Sequence, residues 1–307
     1  MKLKYNADTQ LVFQIGDPIE HSCSGFLHNT MYDIANVNAV CVMVKIKKGE
    51  LPQFIESVKL LGANGFDITT PHKTDIIQYL DECDDGSRIF KCVNHVKLRE
   101  GKLIGIGLDG VGMGLAIENL TGGPGSLKGS NVLIIGAGAV AGPISADLSE
   151  RGAKSIFVAN RTVDKAEYIT KQLNNMYEIK TGFGKLENNY LSYCAPESDI
   201  IVQCTSLGLP GHSGSFESFD FMKKLPRHCI VTDVLYPTTD FLEAAKSLGL
   251  KTINGMGMLL HQQIAMIDFR FGIKLNTNCL DIAEESLVAA IAIRELHEQR
   301  KANKKTK

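Results

Sequence analysis

Apolar and polar positions along the chain fall into two alternating series. In the first, "LVFQIG" (11–16), "AVCVMVKI" (39–46) and "GFDITT" (65–70) are short β-branched runs that predict buried strands. Between them, "FLHNTMYDIANV" (26–37) and "ELPQFIESVKLLG" (50–62) return an apolar residue every three or four positions, the helical period. Alternation of this kind predicts right-handed βαβ units. "CVNHVKL" (92–98) and "KLIGIGL" (102–108) flank the turn "REG" and predict a hairpin that adds antiparallel strands to the same sheet.

The Gly-, Ser- and Pro-rich stretch "TGGPGSLKGS" (121–130) predicts a loop ahead of a second unit. Strands are then expected at "NVLIIG", "SIFVAN", "DIIVQCTS", "CIVTDVLY" and "KTING", with helices at "DKAEYITKQL" and "DFLEAAKSLG". The strongly helical "CLDIAEESLVAAIAIRELHEQR" (279–300) arrives after this series is complete, so it is expected to return to the first domain. The predicted fold is α/β, with an N-terminal domain of residues 1–110 and 260–307 and a doubly wound Rossmann-type domain of residues 111–259.

A chain of 307 residues has enough apolar mass for two cores. The formal net charge of −1 recommends neither nucleic acid nor an anionic membrane as partner. Eight scattered cysteines without a CxxC pair read as reduced core residues, and the histidines show no metal-ligand spacing, so no metal is expected. With no long apolar segment, the cytoplasm is the expected compartment and a monomer or homodimer the expected assembly.

"NVLIIGAGAVAG" (131–142) joins a buried strand to Gly136, Ala137 and Gly138 and then to a small-residue helix start. Strand, tight turn and helix in that order let the backbone approach a pyrophosphate at a helix N-terminus. After the next strand comes "ANRTVDK" (159–165). Asn160 and Arg161 stand where an acidic residue would accept from the ribose of NAD, and Thr162 and Lys165 add possible phosphate contacts. This favours NADP over NAD, the competing reading of Arg161 being a surface salt bridge.

Lys73, just beyond "TTP", would oppose a helix dipole if it opened a helix, so it reads either as solvated or as held there for chemistry. Oxidation of an alcohol needs a group that takes the hydroxyl proton, and a nearby carboxylate would orient a lysine in that role. Asp109 in "GIGLDGVG" is the candidate, although an Asp before Gly also serves as a helix cap or turn residue.

Taken together, these segments resemble the shikimate dehydrogenase family through almost the whole length. "GDPIEHSCSGFLHN" is similar to that family's serine-bearing element, which implies that Ser22 and Ser24 hold a substrate carboxylate. "FDITTPHK" carries the family's catalytic lysine to Lys73 and a substrate-contacting threonine to Thr69, and "CVNH" carries a substrate asparagine to Asn94. "GLDGVG" carries the catalytic aspartate to Asp109. On the cofactor side the resemblance covers "GAGAVAG", including Ala139 and Val140, then "NRT", Thr205 and Ser206 of "CTSLGL", and Gly255. "DVLYP" implies that Tyr236 approaches the substrate, and "GMGMLLHQQIAMIDF" implies the same for Gln262.

The departures lie around the implied pocket. Gly25 replaces a proline and is expected to loosen its loop. Asp67 replaces a substrate-contacting asparagine, so it is expected either to pair with Lys73 or to meet a donor on the substrate. Leu108 and His95 replace threonines, and the segment after Tyr236 is shorter. The resemblance implies an NADP-dependent dehydrogenase acting on the ring hydroxyl of shikimate or a close analogue. Quinate, an aminated analogue, or a non-catalytic NADP-binding regulator of the same fold are the alternatives.

Overall fold

The computed structural model describes residues 5–20, 22–208, 214–236 and 238–305; His21, Leu209 and Pro237, which fall in the quoted segments, lie outside the described residues. The chain forms two compact units, Met1–Leu108 with Gln263–Lys307, and Asp109–Gln262.

The first unit opens with strand β1 (Gln10–Gly16), helix α1 (Ser24–Ile34), β2 (Ala39–Lys45), α2 (Leu51–Leu60) and β3 (Gly65–Ile68). Then come β4 (Glu82–Cys83), the short α3 (Asp85–Phe90), β5 (His95–Arg99) and β6 (Lys102–Ile106). The six strands lie in the order β2-β1-β3-β5-β6-β4. β1 runs parallel to β2 and β3, whereas β5 is antiparallel to β3 and β6, as the hairpin pattern predicts. At the hairpin tip Glu100 and Gly101 both have positive φ, 53° and 78°, which matches the right-handed twist of the two strands.

Alternation along β1 sends Phe13 and Ile15 to one side of the sheet. There Phe54 of α2 meets Phe13 and Phe66 edge-on, with ring centroids 5.7 and 5.1 Å apart.

The second unit begins with α4 (Asp109–Thr121), β7 (Asn131–Ile135), α5 (Ala141–Glu150), β8 (Ser155–Asn160) and α6 (Val163–Met176). It continues through β9 (Lys180–Lys185), α7 (Asn188–Cys194), β10 (Ile200–Gln203), β11 (Ile230–Asp233), α8 (Asp240–Ser247) and β12 (Lys251–Ile253). All pairings are parallel in the order β12-β11-β10-β7-β8-β9, the doubly wound arrangement with its switch point between β7 and β10. Strand β9 was not foreseen, because "KTGFGK" is an edge strand of glycines and lysines with little apolar signal.

Helix α9 (Gly255–Phe271) begins in the second unit and ends in the first, and α10 (Leu280–Lys305) packs in the first. There the Thr30 and Ser286 hydroxyls of α1 and α10 lie 2.6 Å apart, and Phe271 meets Tyr32 edge-on at 5.4 Å. All eight cysteines are free thiols, with only Cys83 and Cys279 partly exposed. Among the described residues no helix is long and apolar enough to cross a membrane.

Candidate functional site

In the first unit, Ser22 and Ser24 stand at the start of α1 within a bonded chain. Gln14 Nε2 of β1 donates to Ser22 Oγ at 3.1 Å, Ser22 Oγ donates to Ser24 Oγ at 3.3 Å, and the Ser24 N–H donates back to Ser22 Oγ at 3.3 Å. Gly25 does not loosen this segment. It is buried as the second residue of α1, where an added Cβ would come within 2.8 Å of Met43 Cγ, so the glycine admits a close approach to β2.

Lys73 does not open an α-helix. It is half-buried in the turn two residues before a short 3-10 segment, Asp75–Tyr79, so no macrodipole opposes it. Its carbonyl accepts from Val93 N–H at 3.0 Å, and the neighbouring His72 ring contacts Ile46 O at 2.7 Å. Beside Val93, Asn94 is 5% exposed, and its Oδ1 accepts from Leu108 N–H at 2.8 Å. The Ile68 N–H donates to Asn94 O at 2.8 Å, so the segment leading into β5 ties together the ends of β3 and β6 and the Lys73 turn. Thr69, half-exposed at the end of β3, is fixed by its own N–H donating to Ile15 O at 2.9 Å.

The expectation for Asp67 is corrected. Its carboxylate is 2% exposed and is taken up by Arg270 at the end of α9, by His95 Nδ1 at 2.6 Å and by His28 Nδ1 at 3.0 Å. The partners that Asp67 takes are thus Arg270, His95 and His28 of its own unit. Burial alone would raise its pKa, but Arg270, His95 and His28 outweigh burial and hold it well below the usual carboxylate range. His95 shares this cluster because residues 67 and 95 are register partners across β3 and β5. Arg270 and His28 were missed in the sequence; a charge inside the otherwise apolar helix "IAMIDFRF" was the available signal for Arg270.

In the second unit, Asp109 opens α4 and is 4% exposed. Glycines let other helices crowd this one. A Cβ at Gly110 would lie 2.3 Å from Pro143 O of α5, and one at Gly112 would lie 2.4 Å from Met258 O and 2.8 Å from Gln262 Cβ of α9. The second contact sets Gln262, itself 4% exposed, against the first turn of α4. Gly255 is packed so that a Cβ would meet Val234 O at 2.2 Å, and its N–H donates to Leu235 O at 2.9 Å. Tyr236 follows, half-buried. Asp233, at the end of β11, is pushed up in pKa by burial, against bonds from Thr239 Oγ1 at 2.6 Å and Leu235 N–H at 2.9 Å.

The glycine turn is shaped for an anionic cofactor. Gly136 has φ 103°, and a Cβ there would stand 2.7 Å from Thr205 Cγ2 and 3.0 Å from the backbone of residues 204–205. Ala137, Gly138, Ala139 and Val140 lead into the N-terminus of α5, where Gly138 and Ala139 are exposed. Asn160 braces this turn, accepting from Ala137 N–H at 3.1 Å and donating to Thr162 O at 2.8 Å. Arg161, Thr162 and Lys165 are exposed beyond the end of β8. Across the switch point, the fully buried Gln203 holds the loop of Thr205 and Ser206, donating to Thr205 O and Leu207 O, each at 3.3 Å, while its Oε1 accepts from Thr205 N–H. Gln203 also went unrecognised in the sequence, signalled only as a polar residue in the run "DIIVQC".

A parallel sheet with a glycine turn at its switch point, joined to a second α/β unit carrying a lysine and paired serines, defines a two-domain dehydrogenase of the dinucleotide-binding class. The first unit matches the family model of the shikimate dehydrogenase substrate-binding domain over residues 14–96, and the second that of shikimate / quinate 5-dehydrogenase over residues 118–234. The chain belongs to the shikimate dehydrogenase family. Shikimate dehydrogenase (NADP(+)) of Methanococcus aeolicus is 34% identical over 277 residues, 90% of this chain and 96% of that protein. Among solved structures, shikimate 5-dehydrogenase of Listeria monocytogenes in complex with shikimate and NAD superposes with TM-score 0.83 at 26% identity, over 94% of this chain and 99% of that one. Ligand-free 5-ketofructose reductase of Gluconobacter sp. strain CHM43 gives TM-score 0.79 at 29% identity, over 92% and 99%.

Proposed function

We propose that this protein is an NADP-dependent oxidoreductase that interconverts the ring hydroxyl of shikimate and the corresponding ketone. One observation carries the reading: residues 93 and 94, just before β5, tie down both Lys73 and Leu108, the residue that precedes Asp109. In this reading Ser22 and Ser24 take the carboxylate, and Thr69, Asn94, Tyr236 and Gln262 take the ring substituents. Lys73 Nζ receives the hydroxyl proton as the carbinol C–H bond breaks, with Asp109 supporting its charge. NADP+, when bound, supplies the acceptor for the hydride. The cradle at Gly136 and the N-terminus of α5 would hold its pyrophosphate, and Arg161 with Thr162 and Lys165 its 2′-phosphate.

The test is a substrate panel followed at the NADPH absorbance band, with NAD in parallel and Arg161→Ala alongside. Turnover of shikimate with NADP, and a loss of at least about tenfold in kcat/KM for NADP but not for NAD in Arg161→Ala, is the expected result. NADPH binding by calorimetry with no absorbance change for any acid would establish a non-catalytic binding protein instead. A second substrate is favoured by Leu108, which replaces a family threonine, together with the likeness to 5-ketofructose reductase. Quinate and 5-ketofructose therefore belong in the panel.

A further inference from the structure

The geometry points to Gln14 as a positioning residue that turns the Ser22–Ser24 pair into a one-way hydrogen-bond donor for an anion. This rests on the proposal above that the pair receives a substrate carboxylate.

Gln14 is 5% exposed in the middle of β1, where a polar side chain is costly unless it has a partner. Its Nε2 donates to Ser22 Oγ at 3.1 Å. The same oxygen accepts the Ser24 N–H at 3.3 Å, so both lone pairs of the Ser22 hydroxyl are occupied. Only its proton remains, and that proton is directed at Ser24 Oγ, 3.3 Å away. The chain therefore runs in one direction, from the buried amide to Ser22, from Ser22 to Ser24, and from the Ser24 hydroxyl outward. Hydrogen bonds aligned in this way polarise one another, which strengthens the terminal donor toward a carboxylate oxygen.

The surroundings fit the amide to this task. Gly25 leaves room for Met43, since a Cβ there would lie 2.8 Å from Met43 Cγ, and it borders the Gln14 carboxamide, whose Oε1 would be 3.8 Å away in ordinary contact. Among the described residues the buried Oε1 has no hydrogen-bond partner, and Nε2 anchors the group through Ser22.

Three variants and two ligands test the inference. Gln14→Leu removes the donor, Gln14→Met does the same with a more adaptable side chain in case leucine impairs folding, and Gln14→Glu supplies an acceptor that draws the Ser22 proton inward. Wild-type turnover of shikimate is established first, so that failure of the functional reading is seen separately. In folded protein, checked by thermal melting, KM for shikimate should rise roughly tenfold in Gln14→Leu and Gln14→Met and further in Gln14→Glu, with kcat changed much less. For the analogue in which a hydroxymethyl group replaces the carboxylate, KM should not change. The inference is overturned if KM for shikimate stays within about twofold of wild type in all three variants, or if both ligands are weakened equally.

Discussion

Asp67 and Arg270, 203 positions apart in sequence, form an ion pair in which both side chains are almost wholly withdrawn from water. A buried pair of this kind gives little net stability over an apolar packing, but breaking it leaves one charge uncompensated. Arg270→Leu and Asp67→Leu should each lower unfolding stability by about 3–5 kcal/mol in chemical denaturation, whereas the double substitution should recover most of the loss. A double variant as unstable as the sum of the singles would show that the pair is not the unit that matters. Because Asp67 is held below its unfolded value, its contribution is fully present above the ordinary carboxylate range and is lost only as the pH falls through the lowered folded value. His28 and His95 face the same carboxylate, their Nδ1 atoms 3.0 and 2.6 Å from its oxygens.

Asp147 behaves with the opposite sign. Burial pushes its pKa up to about 6, against the pull of Arg151, whose Nε donates to Asp147 Oδ2 at 2.6 Å. A raised folded value favours the native state below the unfolded pKa and loses that contribution as pH rises through about 6. Stability measured from pH 4 to pH 7 should therefore carry a falling component, on the order of 3 kcal/mol at most. Asp147→Asn should flatten that slope, even if loss of the ion pair lowers stability throughout.

Gly136→Ala combines a positive φ with a Cβ only 2.7 Å from Thr205 Cγ2. The strain should cost about 1–3 kcal/mol. It should also displace the residue 205 loop and weaken NADPH binding measured by calorimetry. Undiminished affinity would mean that this turn does not approach the nucleotide.

Lys73→Ala should depress kcat by at least about a hundredfold while KM for the acid moves only a few-fold, since a proton-transfer group acts mainly in the transition state. A loss confined to KM would reassign Lys73 to substrate binding.

Most strands of both sheets were legible because β-branched runs of four to seven residues, spaced by helical periods, leave few other arrangements. The glycine turn was legible because strand, Gly136 and helix follow one another directly. Strand β9 was not, since its membership depends on pairing with β8 rather than on its own composition. For Asp67, residue type showed that a charge had entered the neighbourhood, but its direction was decided by Arg270, whose proximity no local pattern records. Asn160 was legible as a position at the end of β8, yet the bond that commits its carboxamide to Ala137 appears only in three dimensions.

The division of the first unit between the two ends of the chain has a consequence for biosynthesis. When residue 108 has left the ribosome, every strand of that sheet exists, but the guanidinium that neutralises Asp67 has still to be translated. The N-terminal sheet therefore cannot reach its finished state before the nucleotide-binding unit that interrupts it has been made, and the usual first-made, first-folded order is reversed.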